Sequence, residues 1–490
     1  MMLRKFGFLA GCLFGLAVTG FAQFNQDAYK DANPAELVKR NDISKENLEG
    51  LVRYYRVKKD EKRAAELEAL LIKQDPKGAF ARMAAFSHTQ RPGTTEEQIA
   101  RCESFLKAFP LKEWNNNPAR QEFIYYSTHR TLGAAYFDTK QFDKFLSMVK
   151  DLNFKTENEL YRWNIMRAYV FKMVSYDSLY NISTPVIKDL IAKVKDGSYL
   201  ESGVFTPEKA QENADQQLDN ELSNHIQLLN TLGKYAEAKT YYRHLSAKGT
   251  YGSAELNEIY LNILEKLGQK AEMKPFLEKT VKANTVTPAM FNKLKTIYQE
   301  EHKNLDGYDT YINSLKSDDE RKAMEAYVKE HLTNNEYKPF ALENADGQLV
   351  RSSEWGNKIV VIDFWATWCK PCIAAFPGMQ MLVDKYANDS EVGIYLIGTM
   401  QNGDYKNKSV GYVKSQGFRF NLLHDAVNKE NGEQDVVFKT FVPFFKSSAI
   451  PRKVVLKDGI MRYSSEGYSG SPSKLVDELS YVIELLKAEK

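Results

Sequence analysis

Cysteine is scarce in this chain: four residues in 490, at positions 12, 102, 369 and 372. A zinc site takes about four ligands. Beyond "CKPC" there is no second C-x-x-C, and the seven histidines (88, 129, 225, 244, 302, 331 and 424) show no ligand spacing. A metal site therefore finds too few donors, and the histidines of the helical region are expected at surfaces or interfaces. Charge of one sign is also lacking. Lys and Arg number 67 against 64 Asp and Glu, a net charge of +3, which gives no electrostatic reason to bind nucleic acid or an anionic membrane. Long apolar runs are missing after the N-terminus, so no later segment is expected to span a membrane.

What is present begins with residues 1–22, "MMLRKFGFLAGCLFGLAVTGFA". Arg4 and Lys5 precede an apolar run from Phe6, and Gly20-Phe21-Ala22 offers a small-x-small cleavage site before Gln23. This is the pattern of a secretory signal peptide, implying an exported protein, periplasmic in a bacterium. Leu9-Ala10-Gly11-Cys12 also resembles a lipoprotein box, so a lipid anchor at Cys12 is the rival. Loss of Arg4 and Lys5 would take the formal charge from +3 to +1. In an oxidising compartment the three remaining cysteines partition most simply into a Cys369–Cys372 pair and a lone Cys102. Cys102 lies in the helical pattern "EEQIARCESFLKAF" and is expected to be a buried, inert thiol.

With 43% hydrophobic and 27% charged residues, the chain is globular, and it is too long for one core. Residues 23–335 read as an all-helical domain of antiparallel hairpins. "TLGAAYFDTKQFDKFLSMVKDL", "LLNTLGKYAEAKTYYRHLSAKG" and "IYLNILEKLGQKAEMKPFLEKTVKA" each give helix, turn, helix. Leu132-Gly133, Leu232-Gly233 and Leu267-Gly268 mark a shared theme, loosely similar to tetratricopeptide-type repeats. Such stacks offer an extended surface for a client. The polar stretch 196–216 is a candidate joint. From 336 to 490 the pattern changes to strand, helix, strand, helix, strand, helix, hairpin, helix, with turns at Asp346-Gly347 and Asp458-Gly459. That order argues for a mixed sheet covered by helices on both faces.

"WATWCKPC", Trp365 to Cys372, lies where the apolar strand Ile359–Trp365 gives way to a helix expected from Pro371 to about Tyr386. A purely structural disulfide across so short a loop gains little chain entropy, which leaves a redox dithiol. The helix N-terminus favours a thiolate at Cys369, lowering its pKa below the ordinary ~8.5. Lys370 adds positive charge, and Pro371 suits the first turn because it has no N–H to leave unpaired. Cys372, one turn in, is the shielded resolving thiol. Trp368 offers a flat apolar surface to a partner chain or packs. Asp363, in an otherwise apolar strand six residues before Cys369, is an unusual buried carboxylate. Its pKa should rise, and it could take the proton of Cys372; a strand-edge Asp with its own hydrogen bonds is the alternative.

Together "VVIDFWATWCKPC", the helix running on to Pro377, "GIYLIGT", "AIP" at 449–451 and "VVLKDGIMRY" resemble the thioredoxin-fold domain of the TlpA/ResA-like bacterial thiol–disulfide oxidoreductases. The resemblance covers about the last third of the chain. It implies an α/β thioredoxin fold behind the helical region, protein thiols or disulfides as substrates, and a cis Pro451 facing the dithiol, with Ile450 offering backbone groups to a substrate strand. Pro443 is the rival position for that proline. No cofactor or metal is implied, and a membrane-bound electron donor is a candidate partner. Two departures stand out. Ala375 occupies a position where many members carry Glu, leaving Asp363 as the sole acid, and Ile450 replaces the frequent Thr. Arg452, just after the proline, would put a positive charge near the groove. A thiol peroxidase is a rival activity, but Thr367 lies two residues before Cys369, not the three of peroxiredoxins. A helical binding module with an idle dithiol is another.

Overall fold

The computed structural model describes residues 24–114, 122–200 and 205–489. The expected signal peptide and Cys12 lie outside the described residues. The chain divides into two compact units, Met1–Met148 and Val149–Lys490.

In the first unit, helices Lys45–Val57 and Glu61–Gln74 are capped by Ser44 and Asp60, whose side chains accept from the backbone N–H of Asn47 and Arg63. Leu48, Leu51, Val52 and Tyr55 face Ala64, Leu67 and Leu71 in one core, which is the spacing that predicted them. Helix Thr95–Ala108 starts with a capping box formed by Thr94 and Glu97 and buries Cys102 completely. Burial pushes that thiol up to about 11, as expected of an inert cysteine. Leu132-Gly133 marks no turn: both residues lie inside helix Glu122–Asp138. The chain reverses at Lys140, in the left-handed region at φ 58°.

In the second unit Gly233 and Gly268 do sit at inter-helix turns, with φ of 71° and 69°, where a Cβ would be strained. They join Pro207–Thr231 to Tyr235–Tyr242 and Ala254–Lys266 to Lys270–Lys282. Pro288 opens the helix Pro288–His302, with Thr287 as the cap. Of the 196–216 stretch, the described parts are helix ends: Tyr176–Asp196 closes on Gly197 at φ 80° and Pro207 opens the next helix.

The histidine expectation needs correcting. His129, in the first unit, and His225, in the second, are buried. His225 Nδ1 pairs with Ser183 Oγ at 2.8 Å, and Ser183 also meets the Tyr161 hydroxyl. Burial pulls both imidazoles down to about 4, so both serve as neutral core residues.

The helices of the second unit lead into an eight-stranded sheet. Its strands are β1 (Leu332–Glu336), β2 (Ala341–Asn344), β3 (Leu349–Arg351), β4 (Ile359–Trp365), β5 (Val392–Gly398), β6 (Asn421–His424), β7 (Arg452–Lys457) and β8 (Ile460–Glu466). The order is β1-β8-β7-β4-β5-β6-β2-β3. β4, β5 and β6 run parallel, and β7 is antiparallel to β4. Asp458 and Gly459, both at positive φ, make the tight β7–β8 turn. β1 lies just before the expected onset at 336. Its sequence, LTNNE, carries one apolar residue and no strand signal, yet it pairs with β8 at the sheet edge.

All seven residues of β4 are buried. Its alternation sorts them. Ile359, Val361 and Trp365 pack with Phe376, Met379 and Leu382 of helix Lys370–Lys385 and with Leu479, Val482 and Ile483 of the closing helix Pro472–Ala488. Val360, Ile362 and Phe364 pack with Phe438 and Phe441 on the opposite face. The result is a thioredoxin-type layered fold behind a helical region. Ser471 caps the closing helix and also donates to the Asn284 carbonyl at 2.7 Å. Lys316 bonds Asp477 at 2.8 Å, so the helices before the sheet are tied to the closing helix.

Candidate redox site

Cys369 is the N-cap of helix Lys370–Lys385. Its Sγ accepts from the N–H of Cys372 at 3.3 Å. The two sulfurs are joined in a disulfide, with Cα atoms 5.3 Å apart. Cys372 is fully buried and Cys369 nearly so. This arrangement follows from the local sequence. Strand β4 ends at Trp365, and Pro371 in the first turn costs no helical hydrogen bond. The backbone N–H of Cys372 therefore points at the Cys369 sulfur from the helix N-terminus, the electrostatic setting that stabilises a thiolate once the pair is reduced.

Across the chain, the carbonyl oxygen of Ile450 lies 3.7 Å from Cys369 Sγ. The Ile450–Pro451 peptide is cis, whereas Pro443 lies in a short 3₁₀ turn. Trp368 is 59% exposed, yet it is not loose. Its indole N–H donates to the Met400 carbonyl at 2.8 Å, which turns one ring face outward beside the dithiol. The Lys370 ammonium lies over the ring of Phe171, 5.5 Å from its centre, so the helices before the sheet contribute a side chain to the rim. Phe171 itself is 66% exposed. Nothing in the sequence around Phe171 indicated this placement.

Arg452 is not a free charge at the groove. Its guanidinium is buried in an ion pair with Glu466, bonds the Ser447 carbonyl at 3.0 Å, and lies over the Phe445 ring. Ala375 is fully buried and brings no acid to the helix.

Asp363 is completely buried on β4. By alternation it shares the face of Ile359, Val361 and Trp365, the one covered by the dithiol helix. Among the described residues neither carboxylate oxygen has a hydrogen-bond partner, so it is not an Asp satisfied by its own strand-edge bonds. Burial pushes its pKa up to about 6, and the charge of Lys453 pulls the other way. Lys453 is its register partner on β7, with Nζ 4.0 Å from Oδ1. This lysine was not among the expected site residues. The available signal was a cation inside the buried run "RKVVL", directly after Pro451. Among the described residues no group of three or more His, Cys, Asp or Glu is arranged to hold a metal.

The fold and the dithiol define a thioredoxin-type domain, and residues 333–464 match the model of the AhpC/TSA family. Two relatives are thiol-disulfide oxidoreductases named ResA. That of Bacillus subtilis is 30% identical over 86 residues, covering 18% of this chain and 46% of the relative. That of Oceanobacillus iheyensis is 39% identical over 97 residues, covering 20% and 46%. The chain thus spans about half the length of these curated relatives. Among solved structures, StoA from Bacillus subtilis has a TM-score of 0.23 at 15% identity, covering 29% of this chain and 94% of that one. A thiol:disulfide interchange protein of the thioredoxin family from Chlorobium tepidum gives 0.24 at 17%, covering 29% and 94%. Among the described residues no helix is long and apolar enough to cross a membrane.

Proposed function

We propose that this protein exchanges thiols and disulfides with other proteins through Cys369 and Cys372, as a reductase or isomerase outside the cytoplasm. The observation that carries this reading is a sulfur at a helix N-cap, bonded to its shielded neighbour and facing the Ile450 carbonyl beside Pro451. In the reduced pair, the Cys369 thiolate attacks a substrate disulfide. One substrate sulfur leaves as a thiolate and a mixed disulfide forms. Cys372 gives its proton to Asp363 and attacks Cys369 Sγ, releasing the second substrate sulfur and closing the Cys369–Cys372 disulfide. Two electrons pass from the pair to the substrate. A dithiol donor, such as one held in the membrane, restores the pair. Ile450 and Pro451 line the path of the substrate strand, and Trp368 bears on its side chains.

In this proposal the functional halves are the helices from 23 to 335 and the redox domain from 336 to 490. The helical half holds the client, a role supported by the exposed Phe171 over Lys370. Export rests on the signal-peptide pattern of residues 1–22.

Insulin reduction with and without Cys369→Ser tests the activity. The reduction potential of the pair tests its direction. A value near −270 mV fits a reductant and one near −120 mV an oxidase.

A further inference from the structure

A carboxyl that takes a proton at each turnover must release it again. Asp363 sits on a central strand with no exposed atom. One row of the sheet leads elsewhere. Asp363 on β4 stands opposite Lys453 on β7, and Lys453 opposite Ser465 on β8. Residues directly opposite share a face, so the three form a polar line under the dithiol and closing helices, in a layer otherwise built of apolar and aromatic residues such as Ile359, Val361, Trp365, Leu396 and Val455. Lys453 Nζ bonds the Gly467 carbonyl at 2.8 Å and lies 4.0 Å from Asp363 Oδ1. Ser465 Oγ donates to Glu478 at 2.8 Å.

Lys453 and Ser465 also line a cavity of about 540 Å³, room for several waters. Its other wall comes from helix Asp318–Glu330 of the helical region, through Glu320, Met324 and Tyr327. The groups facing Asp363 are few. β7 presents Lys453, and β5 presents Leu396 as register partner. The dithiol helix, which packs on this face, carries the buried Cys372. Beyond Lys453 the cavity holds Glu466, already paired with Arg452, Lys474, paired with Glu320, and Glu478, which accepts from Tyr463. Lys453 is therefore the cation between the buried acid and the cavity water.

We propose that Lys453 is a positioning residue for the exchange reaction: it holds Asp363 as a carboxylate and carries its proton to the water of this cavity. The inference rests on the reading of Asp363 as the base for Cys372. After Cys372 has given up its proton, the neutral acid passes it to Lys453, while the ammonium hands one of its three protons to a cavity water. Lysine ends as it began, the carboxylate is regenerated, and a proton leaves on the side walled by the helical region.

The test follows the resolving step: decay of a mixed disulfide between the full chain and a labelled peptide, by rapid quench and mass spectrometry, from pH 5 to 9. Lys453→Met should move the midpoint of the pH profile upward and slow the step about tenfold at pH 7. Lys453→Arg should restore most of both, and initial attack by Cys369 should be unchanged in either. Lys453→Gln replaces the Met variant if that fails to fold. In Asp363→Asn, Lys453→Met should add less than about twofold. If Asp363→Asn leaves the resolving step and its profile as in wild type, the base reading fails. If Asp363→Asn slows the step but Lys453→Met and Lys453→Gln keep the wild-type profile, the proposal for Lys453 is overturned while the base stands.

Discussion

The sulfur of Cys369 and the carbonyl oxygen of Ile450 lie 3.7 Å apart although 81 residues separate them in the chain. In the proposed reaction the helix N-cap would favour a thiolate at this sulfur, and the turn before β7 would supply backbone to line up a substrate strand. An extended peptide laid along Ile450 and Pro451 would carry its own sulfur past Cys369.

Cys369→Ser should reduce insulin reduction to the uncatalysed rate, because the attacking atom is gone. Cys372→Ser should instead accumulate a mixed disulfide at Cys369, seen as an adduct mass that dithiothreitol removes. A hydrogen peroxide reduction rate exceeding that of insulin reduction would favour the peroxidase alternative.

The resolving rate should rise with pH through about 6, the value to which burial lifts Asp363, since only the carboxylate accepts the proton. Asp363→Asn should flatten that rise and slow the step by about 100-fold at pH 7. Rapid-quench decay of the mixed disulfide reads both.

Stability carries the opposite sign. The folded-state pKa of Asp363, about 6, stands above the ordinary 3.8, so the native state holds its proton more tightly than the unfolded chain. Stability from this group is complete below 3.8 and is lost as pH rises to 6. Asp363→Asn should therefore be more stable than wild type at pH 7, by about 3 kcal/mol, with the gap closing below pH 4. Urea midpoints at the two pH values check it.

Cys102 is fully buried, with its thiol raised to about 11. With residues 1–22, and so Cys12, removed, the oxidised native protein should show no thiol to an aromatic disulfide reagent at pH 8, and denaturant should expose that of Cys102. Cys102→Ala should leave the redox activity unchanged.

Phe171→Ser should lower kcat/KM for a protein disulfide about threefold to tenfold, through apolar surface lost at the rim. It should leave reduction of a small disulfide unchanged. Trp368→Ala should show the same split, because its exposed ring lies on the same rim.

Much of this was legible in the residues. The apolar run of β4, the proline in the first helical turn and the two cysteines three apart are local patterns. Local patterns fix local structure, because the backbone period decides which side chains share a face. The same logic exposed Asp363, a charge inside a buried run. It failed for β1, whose LTNNE is mostly polar because an edge strand needs only backbone partners to join. It failed for Leu132-Gly133, where glycine inside a long helix looked like glycine at a turn.

The sequence by itself determined a dithiol at the start of a helix, an acid on the preceding strand and helices ahead of a mixed sheet. Only the tertiary structure decided that Lys453 is the partner of that acid, that Arg452 is occupied by Glu466 and that Phe171 reaches Lys370. The reason is register. Strands and helices distant in the chain meet according to which whole faces bury best, and that choice of neighbours is written in no single segment.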